Sequence, residues 1–246
     1  MISSLIFSFL LSPNALLIAA AIVPAALLMI YVYRKDRLER EPTALLMSLL
    51  GFGALSTVLA VVAESAGSVA LAYFVPGGDE STLYNVLMFF VVVALSEEGF
   101  KYLLLHWRTW RSPHFNCRFD GVVYAVFVSL GFALLENVGY VLMYGFGAAL
   151  MRAMTAVPGH ASFGVFMGAC YGVARGCENR GEHDLSLLWR GLALLLPTLI
   201  HGFYDYIAIG ASEDSTGTFL VFVLVVFAAA VLLLRRLSKR DRYISI

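Results

Sequence analysis

The sequence predicts an all-α polytopic membrane protein of about seven transmembrane helices, with its N-terminus outside and its C-terminus in the cytoplasm. Three observations carry that expectation. Of its 246 residues 60% are hydrophobic and only 14% charged, against about 25% charged in a soluble domain. Apolar runs of the length that crosses a hydrocarbon core, about 20 residues, recur along the whole chain. Lys and Arg, finally, gather in alternate connections between those runs.

In chain order the spans are expected at 14–33, 43–63, 83–106, 121–144, 153–174, 191–210 and 218–235. The start, Met1-Ile2-Ser3-Ser4, carries no Lys or Arg, so it reads as a retained interfacial piece rather than a cleaved signal peptide. Arg34, Lys35, Arg37 and Arg40 follow the first span, and Arg108, Arg111 and Arg118 follow the third. Arg175, Arg180 and Arg190 follow the fifth, and Arg235, Arg236, Lys239, Arg240 and Arg242 follow the last. The connections 75–82 and 211–217 hold Asp79, Glu80, Glu213 and Asp214 instead. Basic connections stay in the cytoplasm, which sets the orientation. The second span could run on to residue 74, long and tilted, with Glu64 near its outer end.

The whole chain, 1–246, reads as a single integral membrane domain. Its polar motifs lie in a core of about 34–210, and the last span, 218–235, leads into a basic cytoplasmic tail. The 17 basic and 17 acidic residues balance, and no basic stripe is interleaved with aromatics, which excludes a nucleic-acid partner. Cys117, Cys170 and Cys177 make neither a metal-spaced motif nor a complete disulfide set, so they are expected as reduced, buried thiols.

Polar residues inside the spans are the functional signal. A charge at mid-bilayer costs roughly 2.5–3.5 kcal/mol on insertion scales, so it is retained where it pairs or works. The third span contains Glu97, Glu98 and Lys101, and the fourth Glu136 and Asn137. The fifth contains Pro158-Gly159-His160, expected to break its helix, followed by Ser162, Gly164 and Gly168, whose small residues permit close helix approach. The sixth contains Pro197, His201 and Asp205 at helical-turn intervals. Glu97 and Lys101 share a helix face, while Glu98 is rotated by about 100°, so one carboxylate is expected on the lysine with the other pointing elsewhere. His201 and Asp205 also share a face, which lets the carboxylate fix the imidazole tautomer.

Each group taken singly also has a structural reading: a Glu–Lys staple, an interhelical amide bond, a packed histidine. Depth favours convergence. At about 1.5 Å per residue, Glu97 and Glu98 lie roughly 21–23 Å from the outer start of their span. Glu136 lies roughly 22 Å, and His201 roughly 16 Å, from the inner starts of theirs. Such groups on four helices, all away from the membrane surfaces, point to a shared protected cavity.

These residues resemble the PrsW family of intramembrane proteases, which is grouped with the type II CAAX prenyl proteases. The family pattern is Glu-Glu-x-x-Lys, Phe-x-x-x-Glu and His-x-x-x-Asp on successive membrane helices. Here it is matched by Glu97-Glu98-Gly99-Phe100-Lys101, by Phe132 with Glu136, and by His201 with Asp205. Pro158-Gly159-His160 and Phe119-Asp120-Gly121 are similar to the family as well. The resemblance implies hydrolysis of a peptide bond in a membrane-anchored protein, an anti-sigma factor in the best-known case, in a bacterial or archaeal plasma membrane. Catalysis would fall to Glu97, Glu98, Lys101, Glu136, His160, His201 and Asp205.

Two mechanisms stay open at this point. A divalent metal, zinc by donor type, would be held by His160, His201 and a carboxylate, Glu136 or one of the pair Glu97 and Glu98, and would activate water. Alternatively Glu97 or Glu98 is the general base, with His201 and Asp205 serving the oxyanion or the leaving amine. Ser96 and Ser162 adjoin motif residues, but a helix points such near neighbours apart, so water is the expected nucleophile. Two other classes fit the composition. A proton- or cation-coupled transporter would place the same groups at mid-membrane, although the chain shows no internal repeat. A non-catalytic membrane scaffold is the third.

Overall fold

The computed structural model describes residues 13–209 and 216–244. The proposed N-terminal interfacial piece and most of the acidic 211–217 connection lie outside them. Eight helices follow in order: α1 Pro13–Lys35, α2 Thr43–Phe74, α3 Thr82–Thr109, α4 Asp120–Tyr144, α5 Phe146–Met154, α6 Ala156–Asn179, α7 His183–Ile209 and α8 Thr216–Lys239. Among the described residues no strand forms beyond a single bridge between Cys117 and Tyr243. In lipid only internally bonded backbone is viable, and helices satisfy that requirement.

Among the described residues six helices are long and apolar enough to span a membrane: α1, α2, α3, α4, α7 and α8. The sequence led to an expectation of seven. The remaining one, the fifth expected span at 153–174, corresponds to α6, whose 24 residues reach across but include Gly159, His160, Ser162, Gly164 and Gly168. Nearly all of α6 is buried, packed chiefly against α4 and α7. A helix wrapped by protein needs no lipid-compatible surface, so its composition falls below what hydropathy recognises. The lipid-compatible surface is carried by outer helices, where Val69 and Leu224 are largely exposed.

Pro158 does not break a helix as expected. The break falls at Thr155, between α5 and α6, and Pro158 occupies the first turn of α6, where its missing N–H is harmless. The second span does run long. Its 32 residues reach about 48 Å, well beyond a hydrocarbon core of about 30 Å.

The centre is α4, most of whose residues are buried. Its neighbours come within backbone contact at glycines. A side chain at Gly53 of α2 would collide with the Val128 carbonyl, and one at Gly168 of α6 with the Gly121 carbonyl. The small residues of the fifth expected span therefore do set a close helix approach. At the basic end, the chain after α8 is tied down. Arg118 N–H donates to the Arg242 carbonyl (3.2 Å), Ile244 N–H to the Asn116 carbonyl (2.6 Å) and Phe119 N–H to Asp241 Oδ1 (2.9 Å). All three cysteines are free and buried, as expected.

Candidate active site

The site begins in α3. Its stretch Met88–Ala94 is π-helical and passes directly into the α-helical Leu95–Thr109 that carries Glu97, Glu98 and Lys101. A π turn shifts the helix phase and recurs at functional positions. Phe90, within it, meets Phe203 edge-on and lies where any side chain at Gly202 would have to go, which locks α3 against α7.

Lys101 is fully buried, and its ammonium organises the site. It donates to Glu98 Oε1 at 2.8 Å and to Glu97 Oε2 at 3.1 Å, and it faces His160 Nδ1 at 3.2 Å. Both glutamates thus reach the lysine, unlike the expectation of one. Lys101 lies four residues from Glu97 and three from Glu98, and both spacings bring side chains together on a helix. Three N–H donors meet three acceptors. The ring of Phe132 closes over the ammonium at 3.7 Å, a cation–π contact that accounts for the phenylalanine of Phe-x-x-x-Glu.

Because Lys101 can only donate, His160 Nδ1 must accept, and His160 Nε2 carries the proton it gives to Glu136 Oε2 at 2.9 Å. Glu136 is held a second time by Arg152 Nη2 at 2.7 Å. His201 presents Nδ1 to Glu98 Oε1 at 3.0 Å and Nε2 to Asp205 Oδ2 at 3.3 Å, with its ring stacked on Phe163. Glu97 Oε2 is 3.9 Å from His201 Nε2. All seven sequence-predicted residues therefore join one network drawn from α3, α4, α6 and α7.

The network borders a cavity of about 350 Å³ lined by Glu97, Glu136, His160, His201 and Asp205. Glu98 and Lys101 lie behind this lining, fully buried. Neither Ser96 nor Ser162 lines the cavity, and the Ser162 hydroxyl is committed to the Pro158 carbonyl at 2.7 Å.

For a metal, donors gather among the spans at Glu97, Glu98 and His201, each offering an atom within 4.8 Å of the others. The expected trio Glu136, His160 and His201 does not converge that closely among the described residues: His160 meets Glu136, but His201 turns its nitrogens to Glu98 and Asp205. Two carboxylates and an imidazole suit zinc. Glu98 Oε2 is buried without a hydrogen-bond partner, which fits a donor aimed at a cation.

Sequence reasoning missed Arg152 and undervalued Glu64, both of which line the cavity. The signal for Arg152 was available: it is a basic residue in a connection that the charge alternation leaves free of basic residues. Its Nε also bonds Asn137 Oδ1, and Asn137 Nδ2 reaches the Ala21 carbonyl of α1.

A bundle of apolar helices closed around carboxylates, imidazoles and a lysine has the make-up of a membrane-embedded enzyme. The description "PrsW family intramembrane metalloprotease" matches residues 41–233. A "Protease PrsW" of Bacillus subtilis is 33% identical over 80% of this chain and 84% of its own length, and one of Oceanobacillus iheyensis is 32% identical over 80% and 85%. Another, of Halalkalibacterium halodurans, is 30% identical over 92% of this chain and 99% of its own length. No solved structure matches the chain. The chain belongs to the PrsW family and is an intramembrane protease, integral to the bacterial plasma membrane.

Proposed function

We propose that this protease hydrolyses a peptide bond of a membrane-anchored protein, an anti-sigma factor being the leading substrate class, with water as the nucleophile at the α3–α4–α6–α7 cavity. The observation that supports this most is the convergence of Glu97, Glu136, His160, His201 and Asp205 on one cavity of about 350 Å³. Glu97, Glu98 and His201 would hold a divalent ion, zinc by donor type. Such an ion, when bound, supplies Lewis acidity toward water and the scissile carbonyl.

The remaining groups have roles that follow from their contacts. Asp205 orients His201 through its second ring nitrogen. Lys101 offsets the paired negative charge of Glu97 and Glu98. Glu136 faces the cavity as proton acceptor, and the His160 N–H and Arg152 hold its carboxylate in place. Arg152, beside the cavity, also offers positive charge to a developing oxyanion.

A second reading is favoured by one observation: the Lys101 ammonium already lies between Glu97, Glu98 and His160. There Glu97, the glutamate that lines the cavity, is itself the base, and His201 with Asp205 serves the leaving amine.

The deciding experiment measures bound metal in purified protein together with cleavage of single-span substrates. In the metal reading, Glu98→Gln loses both metal and cleavage, whereas Glu136→Gln keeps the metal and loses cleavage. Persistent cleavage in chelator, with loss in Glu97→Gln, selects the metal-free reading. Normal cleavage rates in Glu97→Gln, Glu136→Gln and His201→Ala alike would overturn the site.

A further inference from the structure

A second set of buried carboxylates lies at the opposite, basic end of the bundle, and neither reading of the protease site uses it. Asp36 and Glu41 come from the α1–α2 connection and Asp120 opens α4. Their donor atoms lie within 4.8 Å of one another, and all three residues are at most 5% exposed. Asp120 Oδ2 accepts the amides of Asn116 (3.0 Å) and Cys117 (2.6 Å), which fixes the carboxylate. Its other oxygen, both oxygens of Asp36 and Glu41 Oε2 are buried with no hydrogen-bond partner. Three carboxylates thus present four orphaned oxygens to one another, an arrangement that buried charge does not sustain without compensation.

An independent observation points the same way. Tyr124, one turn along α4 from Asp120, is fully buried, and its hydroxyl also lacks a partner. It faces Glu41, Asp120 and Asp36. Its oxygen stands beside theirs, within reach of Glu41, as a further oxygen donor.

We propose that Asp36, Glu41 and Asp120, with the Tyr124 hydroxyl, bind a hard divalent cation of the magnesium, manganese and calcium kind. The donors are all oxygen, which favours these ions over zinc. The cation would fasten the α1–α2 connection to the start of α4, next to the segment where Phe119 and Arg118 hold the C-terminal tail. It is a structural site, separate from the intramembrane cavity and from the metal proposed there.

The test uses full-length protein in detergent, stripped with chelator and titrated with Mn²⁺ by electron paramagnetic resonance, in wild type and in Glu98→Gln, which lacks a ligand of the intramembrane site. A saturable Mn²⁺ site is expected in both. It should compete with Mg²⁺ or Ca²⁺, and Asp36→Asn and Glu41→Gln should weaken it at least about tenfold (about 1.4 kcal/mol). Should either variant fail to fold, Tb³⁺ bound to Glu98→Gln protein gives a second reading. Emission sensitised by tyrosine excitation should be displaced by Ca²⁺ and reduced in Tyr124→Phe. Absence of a saturable site in Glu98→Gln protein overturns the proposal. So does Mn²⁺ affinity unchanged in Asp36→Asn and Glu41→Gln. So does an Asp36→Asn protein that is more heat-stable than wild type while wild type shows no response to any cation, because the carboxylates are then sharing protons.

Discussion

Lys101 shows how much one side chain decides here. It has no exposure, one charge and three donors, and it uses them on Glu97, Glu98 and His160 under the Phe132 ring. Removing one partner of a buried ion pair costs about 3–5 kcal/mol, because the charges left behind stay desolvated. Lys101→Met is therefore expected to lower the thermal midpoint sharply and abolish cleavage. Adding Glu98→Gln removes one orphaned charge and should recover part of the stability but none of the activity. A double-mutant cycle by thermal unfolding checks this, and additive losses would remove Lys101 from the centre of the network. At this scale the sequence was informative. The i, i+4 pair His201–Asp205 and the Glu97–Lys101 pair are fixed by helix geometry alone, and both form. That Glu98 also reaches Lys101, and that His160 bridges Lys101 and Glu136, depends on how α3, α4 and α6 face one another. No single helix contains that information.

Among the elements, α6 is the least legible from hydropathy and the most constrained by packing. Its glycines let it lie against the α4 backbone, and this contact brings His160 to Glu136. Gly168→Leu would drive a side chain into the backbone of Gly121 and Val122, which cannot move as a flexible side chain can. Overpacking of this kind costs about 1–3 kcal/mol. The expected result is a lower midpoint with cleavage lost. Gly99→Ala, which meets open space although it lies inside the Glu-Glu-Gly-Phe-Lys motif, should be tolerated in both assays. Equal behaviour of the two variants would show that close approach of α4 and α6 is not what positions His160. The expected helix break was misplaced for a related reason. Proline signals an interruption but does not say on which side of it the new helix starts, and here Thr155 ends α5 just upstream.

Across the whole molecule, the two polar centres lie at opposite ends. The cavity is lined by the middle turns of α2, the late turns of α4 and α7 and the early turns of α3 and α6, away from the basic connections. The cluster of Asp36, Glu41 and Asp120 lies among those connections. If basic connections are cytoplasmic, the protease cavity occupies the outer half of the membrane. Cysteine substitutions test this, since the three native cysteines are buried. Glu80→Cys is expected to react with a membrane-impermeant thiol reagent on intact cells, and Arg240→Cys only after permeabilisation. The reverse pattern would invert the protein and place the cavity in the inner half.

The sequence by itself determined the membrane class, the identity of the paired residues and the family. Hydropathy, charge placement and helical spacing are properties of local sequence. The tertiary structure alone decided which carboxylates meet which imidazoles, that Arg152 holds Glu136, and that Glu97 rather than Glu98 lines the cavity. It also decided that residues as far apart in the chain as Asp36 and Asp120 become neighbours. Those facts depend on the rotation and depth of each helix against the others. They are set by glycine contacts and a π-helical turn, whose effects appear only when the helices are packed.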